Sequence, residues 1–421
     1  MLDLKFIREN KELIIKNSAD RLSKANIPEL LLADEKHRHL IGQIEELRAK
    51  RNQGSKNKPT PSEIAAMKSI GDLITNLEIE EKDAAEKVHN LLIEVPNVTH
   101  PDVKQSDNED DNPILETVGL IPKFDFKPKD HVELAETLDL IDFERGTKVV
   151  GAKFYYLKNE LALLSLALNR YALDVVIKHG FTFMITPDIA KTEIIEGLGF
   201  NPRGESSQVY QITGEDLSLI GTAEITLGGY HADEVLPTEK LPLKYVGLSH
   251  CFRTEAGAYS KFSKGIFRVH QFEKVEMFMY CNPEQAEDLH KKMLAIEKEI
   301  FNGLNIPFRV VDHCTADLGA PSYRTFDLEA WMPGKPNKDG GEGDYAEITS
   351  TSNCSDYQSR SLNIKFTDSD GKKKLVYTLN GTVNPGPRAL IAIMENYQQA
   401  DGSIKIPDVL VSYMGGLEKI G

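Results

Sequence analysis

Two runs of mostly apolar residues near the N-terminus have alternating spacings of three and four, the heptad pattern of a two-stranded coiled coil. The first run is Leu30, Ala33, His37, Leu40, Ile44 and Leu47, and the second is Met67, Ile70, Ile74, Leu77, Glu81, Ala84, Val88 and Leu91. Between them, Pro59 and Pro61 interrupt the helical pattern, and Ser62 is the predicted N-cap of the second helix. The pattern predicts an antiparallel helical coiled-coil hairpin at residues 27–95. Its two apolar seams bury each other, so the hairpin does not have to pack against the core of another domain.

Basic residues cluster where the two predicted helices join. They are Arg48, Lys50, Arg51, Lys56 and Lys58, with no acidic residue among them. The whole chain has a formal net charge of -15 at pH 7, which excludes a uniformly basic nucleic-acid-binding protein. A local basic patch on an acidic body favours a phosphate-rich partner such as RNA. The alternative is a turn whose charges only keep the hairpin solvated.

The remaining sequence predicts a second domain. A proline-containing, acidic linker over residues 95–112 separates an N-terminal domain at 1–112 from a larger domain at 113–421. Short strands follow one another with few intervening helices, so the larger domain is expected to be α+β with an antiparallel sheet. The four cysteines show no CxxC spacing, which predicts no disulfide framework and no structural zinc. Without a membrane-spanning apolar run or a signal peptide, a cytoplasmic protein is expected.

A predicted pair of strands, at residues 244–252 and 267–280, carries the densest group of polar residues. The two-residue period of the second strand places on one face Arg268, His270, Phe272, Lys274 and Glu276. An arginine, an aromatic ring and a carboxylate on one surface suit a phosphate, a flat base and an ammonium. The ordinary alternative for such a stretch is a solvated sheet face.

Three further segments of the larger domain are rich in polar groups. They are Thr222-Ala223-Glu224, predicted at a strand, residues 347–350, at the end of another strand, and Arg388, predicted at a helix N-terminus after Asn380-Gly381-Thr382. A helix N-terminus beside an arginine favours a bound phosphate. The sequence contains no P-loop, dinucleotide-binding glycine motif, zinc-protease motif or nucleophile elbow. If the chain binds ATP, it does so without any of these nucleotide-binding motifs and therefore in a different kind of fold.

Several long segments resemble the seryl-tRNA synthetases of bacteria and organelles. They are MLDLKFIREN at 1–10, FDFKPKDHVELAETLDLIDFERGTKV at 124–149, FRTEAGAYSKFSKGIFRVHQFEKVE at 252–276, FDLEAWMPG at 326–334 and RALIAIMENYQ at 388–398. The resemblance covers essentially the whole chain. It implies the class II synthetase antiparallel sheet with flanking helices, a homodimer formed through residues 180–187, and ATP-dependent ligation of L-serine to tRNA(Ser) through seryl-adenylate.

The resemblance also implies roles for individual residues. The implied ATP contacts are Arg253, Glu255, Val269, Phe272, Glu347, Ile348, Thr349, Ser350 and Arg388. The implied serine contacts are Thr222, Ala223, Glu224, Arg253, Glu276 and Thr382. Arg253 and Arg388 are the implied catalytic residues, and Glu347 and Ser350 the implied contacts of the Mg²⁺ that accompanies ATP. The basic residues at the tip of the hairpin (Arg48, Lys50, Arg51, Lys56 and Lys58) are expected to bind the long variable arm of tRNA(Ser). The selenocysteine tRNA is a second candidate partner.

The chain departs from the family pattern just before Arg388, where it reads NGTVNPGPR. Val383 replaces a small residue and two prolines are added, which leaves open a catalytically impaired paralogue that binds RNA or a protein partner. A ligase that joins an amino acid to a carrier protein on the same fold is another alternative, but such relatives lack the hairpin. Which of Glu224 and Glu276 takes the serine ammonium, and which its hydroxyl, stays open at this point.

Overall fold

A computed structural model describes residues 1–54, 60–200, 208–256, 262–337 and 340–421, and its contacts divide the chain into two compact units, Met1–Val98 and Thr99–Gly421. The helices are α1 (Leu4–Glu9), α2 (Lys11–Asp20), α3 (Ile27–Gly54), α4 (Pro61–Leu92), α5 (His131–Leu138), α6 (Phe143–Val149), α7 (Asn159–Lys178), α8 (Thr192–Gly197), α9 (Ala223–Gly229), α10 (Ala286–Gly303), α11 (Tyr357–Ser361), α12 (Pro387–Asn396) and α13 (Asp408–Val411). The strands are β1 (Ile114–Val118), β2 (Ile141–Asp142), β3 (Tyr156–Leu157), β4 (Thr182–Ile185), β5 (Ile189–Lys191), β6 (Leu217–Leu219), β7 (Val235–Leu236), β8 (Leu243–Phe252), β9 (Gln271–Cys281), β10 (Phe308–Asp312), β11 (Arg324–Pro336), β12 (Glu342–Asn353), β13 (Lys365–Thr367), β14 (Lys373–Leu375), β15 (Tyr377–Asn384), β16 (Ile404–Lys405) and β17 (Lys419–Ile420). None of the described helices is long and apolar enough to cross a membrane.

The first unit contains the predicted helical hairpin. α3 and α4 pack against each other, and Leu40, Ile44 and Ile74 are buried between them. At the polar position of each seam, His37 Nε2 lies 2.7 Å from Glu81 Oε1. The two polar residues therefore pair with each other across the apolar seam, which favours a single register of the helices.

The N-cap of α4 differs from the prediction. Thr60, not Ser62, caps the helix: its side chain accepts from the Glu63 N–H, and the Glu63 carboxylate accepts from the Thr60 N–H at 2.7 Å. This reciprocal pair is a capping box, and Pro61 occupies the first helical turn, where no intrahelical N–H bond is lost. The Thr-x-x-Glu spacing already carried this signal in the sequence.

The stretch predicted as a linker is partly ordered on the second unit. The His100 N–H donates to the Tyr323 carbonyl at 2.9 Å, and the Thr315 N–H donates to the Lys104 carbonyl at 3.0 Å. These bonds satisfy backbone groups that a solvated linker would leave to water. The contacts divide the chain into two units after Val98, whereas the composition suggested a domain boundary at residue 112. The assignment of separate functions to 1–112 and 113–421 stays a prediction.

The second unit contains a large sheet, which confirms the α+β expectation. Within the described residues it has eight strands in the order β1-β10-β11-β12-β15-β9-β8-β4. Neighbouring strands are antiparallel, except that β4 runs parallel to β8. The predicted pair of strands is β8 and β9, but β9 begins only at Gln271, so Arg268 and His270 precede the strand.

Strand β9 separates two apolar cores. Val275, Met277 and Met279 belong to a large core that includes residues of α7, α10 and α12. Phe278 and Tyr280 belong to a smaller core with residues of α8 and α9. Because side chains alternate along a strand, the Glu276 carboxylate lies on the side of the smaller core, where burial is costly unless the charge is paired.

Candidate active site

Residues of β9, β12, β15 and α12 line one cleft in the second unit. The predicted residues that line it are Arg253, Glu255, Val269, Phe272, Glu347, Ile348, Ser350, Thr382 and Arg388. Arg268 and Lys274, predicted only to share a strand face with Phe272, also line it, as do Ile266, Phe267, Pro385 and Pro387, for which no role was predicted. Segments far apart in sequence therefore meet in a single concave surface, which the resemblance implied but no periodicity indicated.

One wall of the cleft alternates cationic and aromatic groups. Arg253 Nε donates to the Gly221 carbonyl at 3.2 Å, and its guanidinium carbon lies 5.3 Å from the centroid of the Phe272 ring. Glu255 accepts a hydrogen bond from Arg268 Nη1 at 3.0 Å. A fixed guanidinium over an aromatic ring is suited to hold a phosphate next to a stacked base.

Arg388 approaches the cleft from the first turn of α12. Its Nη1 lies 3.0 Å from Glu347 Oε1, and its guanidinium carbon lies 4.8 Å from the centroid of the Phe267 ring. The helix begins directly after Gly386, whose φ is +57°. A Cβ at Gly386 would lie 2.4 Å from the Glu273 carbonyl oxygen, so only glycine fits this approach. The added prolines flank this glycine and line the cleft, while Val383 is buried in the large core.

Glu347 faces Arg388 from β12 and is about half exposed, at 49% of its side chain. Although burial acts in the opposite direction, the charges of Arg388 and His313 lower the pKa of this carboxyl. His313 is buried, and its Nε2 lies 2.9 Å from Asp327 Oδ2. Burial would lower the pKa of His313, but the Asp327 and Asp317 carboxylates raise it to about 10. A protonated histidine thus supports this side of the cleft.

The second part of the site lies where α9 begins. Thr222 was predicted at a strand but is the N-cap of α9, and its Oγ1 accepts from the Glu224 N–H at 3.3 Å. Thr222 has an extended backbone, but Ala223 is already the first helical residue, so no strand continues through this segment. This turn buries Ala223 and directs Glu224 into the protein.

Glu224 is held by two side-chain amides. Gln358 Nε2 and Asn380 Nδ2 both donate to Glu224 Oε1, at 2.8 and 3.0 Å. Burial, and then the nearby Glu276 charge, raise the pKa of Glu224 to about 7. Glu276 lies opposite Thr382 in the pairing of β9 with β15, and burial raises its pKa too. The site therefore holds two buried carboxylates that differ in their partners.

Lys274 joins these groups and was missed as a site residue. Its Nζ lies 2.5 Å from Glu276 Oε2 and 3.2 Å from Thr222 Oγ1, and the side chain is buried. Its charge lowers the pKa of both Glu224 and Glu276 and so opposes the effect of burial. The signal was present in the sequence, because Lys274 shares a strand face with Phe272 and Glu276. Buried lysines almost always have a paired partner.

Not every predicted residue faces the cleft. The Thr349 hydroxyl points away from it and donates to Glu297 Oε2 at 2.8 Å, because Thr349 alternates with Ile348 and Ser350 along β12.

In the first unit, Arg48 Nη2 is paired with Glu78 Oε1 at 2.7 Å, whereas Lys50 and Arg51 are exposed. Lys56 and Lys58 lie outside the described residues.

Two family models match the chain. Residues 208–397 match the tRNA synthetase class II core domain (G, H, P, S and T), and residues 1–99 match the seryl-tRNA synthetase N-terminal domain. The antiparallel sheet and its cleft are therefore those of a class II aminoacyl-tRNA synthetase.

Individual relatives narrow this class. The serine–tRNA ligase of Treponema denticola is 53% identical over 428 residues, covering 100% of both chains, and that of Dictyoglomus thermophilum is 48% identical, covering 99% of this chain and 98% of its own. Among solved structures, the seryl-tRNA synthetase from Pyrococcus horikoshii complexed with ATP superposes with a TM-score of 0.85 at 39% identity, covering 100% of this chain and 99% of its own. The cytoplasmic serine–tRNA ligase from Naegleria fowleri in complex with AMP gives 0.82 at 33%, covering 100% and 98%. The chain belongs to the seryl-tRNA synthetase family.

Proposed function

We propose that the chain ligates L-serine to tRNA(Ser) through seryl-adenylate, with release of AMP and pyrophosphate. The observation that carries this proposal is the position of Arg253, between the residues assigned to the nucleotide and those assigned to the amino acid. Its guanidinium covers the Phe272 ring on the nucleotide side, and its charge lowers the pKa of the buried Glu224 and Glu276 on the amino-acid side. The experiment that tests it is aminoacylation of tRNA with labelled serine by the purified chain.

The proposed chemistry needs positioning rather than a protein nucleophile. A serine carboxylate oxygen attacks the α-phosphorus of ATP, and the bond to the pyrophosphate oxygen breaks. A ribose hydroxyl at the tRNA 3′ end then attacks the seryl carbonyl, and AMP leaves. Arg253 and Arg388 would neutralise charge on the phosphates, with Phe272 stacked on adenine and Glu255 and Val269 beside it. Glu347, Ile348 and Ser350 would form the opposite side, and Thr349, whose hydroxyl points away, would contribute only backbone atoms.

The proposed Mg²⁺ contacts are Glu347 and Ser350. They offer one carboxylate and one hydroxyl at the cleft, and Mg²⁺ typically needs only one or two protein oxygens beside phosphates and water. Within the described residues, His, Cys, Asp and Glu side chains form no group of three or more that would hold a metal by themselves. An ion held by Glu347 and Ser350 would supply positive charge that neutralises the phosphates.

We assign the serine ammonium to Glu224 and the serine hydroxyl to Glu276 and Thr382. Lys274 already places a cation beside Glu276 and Thr222, so a second cation is better accommodated at Glu224. Two amides occupy Glu224 Oε1, and its second oxygen would receive the ammonium. The Thr382 hydroxyl helps to lower the pKa of Glu276, which accepts from the substrate hydroxyl in this arrangement.

Serine binding is expected to weaken as the pH falls. The pKa of Glu224 is about 7, so below that pH the carboxyl is protonated and must lose its proton to bind an ammonium. The dissociation constant of serine should rise by about tenfold in total between pH 8 and pH 6. Calorimetry at pH 6 and pH 8 measures this, and Glu224→Gln should flatten the profile. Equal affinity at both pH values would refute the assignment of the ammonium to Glu224.

The basic tip of the hairpin is proposed to bind the long variable arm of tRNA(Ser), and the selenocysteine tRNA remains a candidate second substrate. We expect the double change Lys50→Glu and Arg51→Glu to raise the KM for tRNA by about tenfold or more, because phosphate contacts dominate such affinity. Serine-dependent pyrophosphate exchange should be unchanged. Lys36→Glu, an exposed lysine elsewhere on α3, is the control. Equal loss of exchange and charging would contradict this role.

A homodimer is proposed through α7 and β4. Both elements expose apolar side chains, with Leu166 62% and Ile185 80% exposed, and a monomer would leave them in water. We expect Leu166→Asp combined with Ile185→Asp to convert a dimer into a monomer in sedimentation velocity. Leu32→Asp on α3 replaces an equally exposed leucine and should leave the dimer intact. Sedimentation of the unchanged chain as a monomer would contradict the proposal.

The impaired-paralogue alternative is not favoured. Arg388 reaches the cleft past the two prolines, and Val383 points into the core rather than toward the nucleotide. The departure from the family pattern therefore leaves the charged groups in place.

The cytoplasm is the compartment we propose for this reaction, since tRNA, ATP and free serine are available together there.

A further inference from the structure

A buried pair behind the cleft has no part in the proposed reaction. His131 is the first residue of α5 and Glu395 lies in the last turn of α12, with exposures of 1% and 2%. His131 Nδ1 lies 2.9 Å from Glu395 Oε1, which also accepts from the His131 N–H at 3.0 Å. The Gly334 N–H donates to Glu395 Oε2 at 2.8 Å. Both carboxylate oxygens thus bind groups from separate segments of the chain.

The other ring nitrogen holds the segment that leads back into β9. The Ile266 N–H donates to His131 Nε2 at 3.3 Å. Because Nε2 accepts this bond, the ring proton lies on Nδ1, which donates to Glu395. Gly265, with a φ of +56°, packs so closely that a Cβ there would lie 2.1 Å from His131 Nε2. Lys264 forms an ion pair with Asp130, the N-cap residue of α5.

The residues held in this way form part of the cleft wall. Ile266 and Phe267 both line the cleft, and the Phe267 ring lies under the Arg388 guanidinium. Arg388 Nε also lies 3.5 Å from the Phe267 carbonyl oxygen. Helix α12 therefore fixes the segment at two points, directly through Arg388 in its first turn and through His131 by way of Glu395 in its last turn.

We propose that His131 is a positioning residue for ATP, acting through Ile266 and Phe267 and not by contact with the nucleotide. This inference rests on the proposed function of the cleft as an ATP site. With the Nε2 bond in place, Phe267 supports the guanidinium of Arg388 at the position where the phosphates bind. Loss of the bond releases the segment from α12 and lets the ring and the guanidinium separate.

The test compares His131→Leu, which removes both ring nitrogens, with His131→Gln, which keeps one donor and one acceptor. In the full chain, His131→Leu is expected to raise the KM for ATP in pyrophosphate exchange by about tenfold, the effect of one lost buried hydrogen bond. The KM for serine should change less than twofold, and His131→Gln should restore most of the ATP affinity. A purely structural role would instead lower the melting temperature and leave the KM for ATP unchanged.

Gly265→Ala disturbs the same contact from the other side and should reproduce the rise in KM for ATP. Gly371→Ala is its matched control, since Gly371 also has a positive φ of +74° but has no atom within 4 Å of the new Cβ. The double variant His131→Leu with Gly265→Ala should be no worse than either single variant, because both break one link. Additive effects, or an unchanged KM in either single variant, would overturn the proposal.

Direct calorimetric binding of ATP separates this proposal from the proposed function. If the unaltered chain binds ATP but shows no serine-dependent exchange, the proposed function fails while the effect of His131→Leu on ATP affinity still decides the inference. If the unaltered chain is active and ATP affinity is the same in all variants, the inference fails alone. If ATP does not bind at all, both fail.

Discussion

Replacement of Arg388 by alanine is expected to reduce serine-dependent ATP–pyrophosphate exchange by about 10³-fold. Arg388 brings a positive charge to the first turn of α12, where the helix N-terminus adds further positive potential. It also forms an ion pair with Glu347 Oε1 at 3.0 Å, so its loss leaves that carboxylate facing the phosphates without its guanidinium partner. Both effects raise the barrier of the adenylation step, and the exchange rate at saturating serine and ATP measures them.

Two further variants isolate the cause. Arg388→Lys keeps the charge but loses the planar fork, so we expect an intermediate loss. Arg145→Ala removes an exposed arginine that pairs with Asp142 on the surface, and it should leave the exchange rate unchanged. Melting temperatures of all three variants show whether folding is intact. An Arg388→Ala enzyme that folds and retains more than a tenth of the activity would contradict the role given to this residue.

Replacement of Lys274 by methionine is expected to reduce kcat/KM for serine by about 10²-fold or more while ATP binding is preserved. The change removes the cation that lies 2.5 Å from Glu276 and leaves two buried carboxylates close to each other. Since the Lys274 charge lowers the pKa of Glu276, its loss raises that pKa further and favours the protonated carboxyl. A protonated Glu276 is a weaker acceptor for the serine hydroxyl than the charged carboxylate, because it no longer offers a charge-assisted hydrogen bond.

The matched control is Lys405→Met, at a half-exposed lysine on β16 that pairs with Asp408. It should leave all kinetic constants unchanged. Exchange measured against both substrates distinguishes the outcomes: a loss confined to serine supports the role of Lys274, and an equal loss for ATP and serine indicates general disruption of the site. An unchanged KM and kcat for serine would mean that Lys274 has no part in serine recognition.

The first unit could be predicted from the sequence in considerable detail. Heptad spacing is a local property, so the seams identified the hairpin and placed His37 and Glu81 at seam positions, where they meet at 2.7 Å. The error at the start of α4 was also local. Thr60 and Glu63 are three residues apart and form the capping box, but Ser62 was chosen as the N-cap.

The second unit was predicted less completely because its contacts join distant segments. Strand alternation placed Lys274 and Glu276 on one face, but the partners of Lys274 include Thr222, which lies 52 residues away. Thr222 itself was placed at a strand because its capping role depends on the turn into α9. The support of Glu347 by His313 and Asp327 likewise needs two neighbouring strands, which no local pattern reveals. The family resemblance supplied those site residues that periodicity could not.

The proposed function requires that this cleft activate serine. ATP–pyrophosphate exchange with serine, threonine and alanine tests it most directly, because it reports adenylate formation without tRNA. We expect rapid exchange with serine, weaker exchange with threonine, and at least about 10³-fold less with alanine, which leaves buried acceptors unpaired. An enzyme that folds but shows no exchange with serine, or exchanges equally well with alanine, would contradict the account.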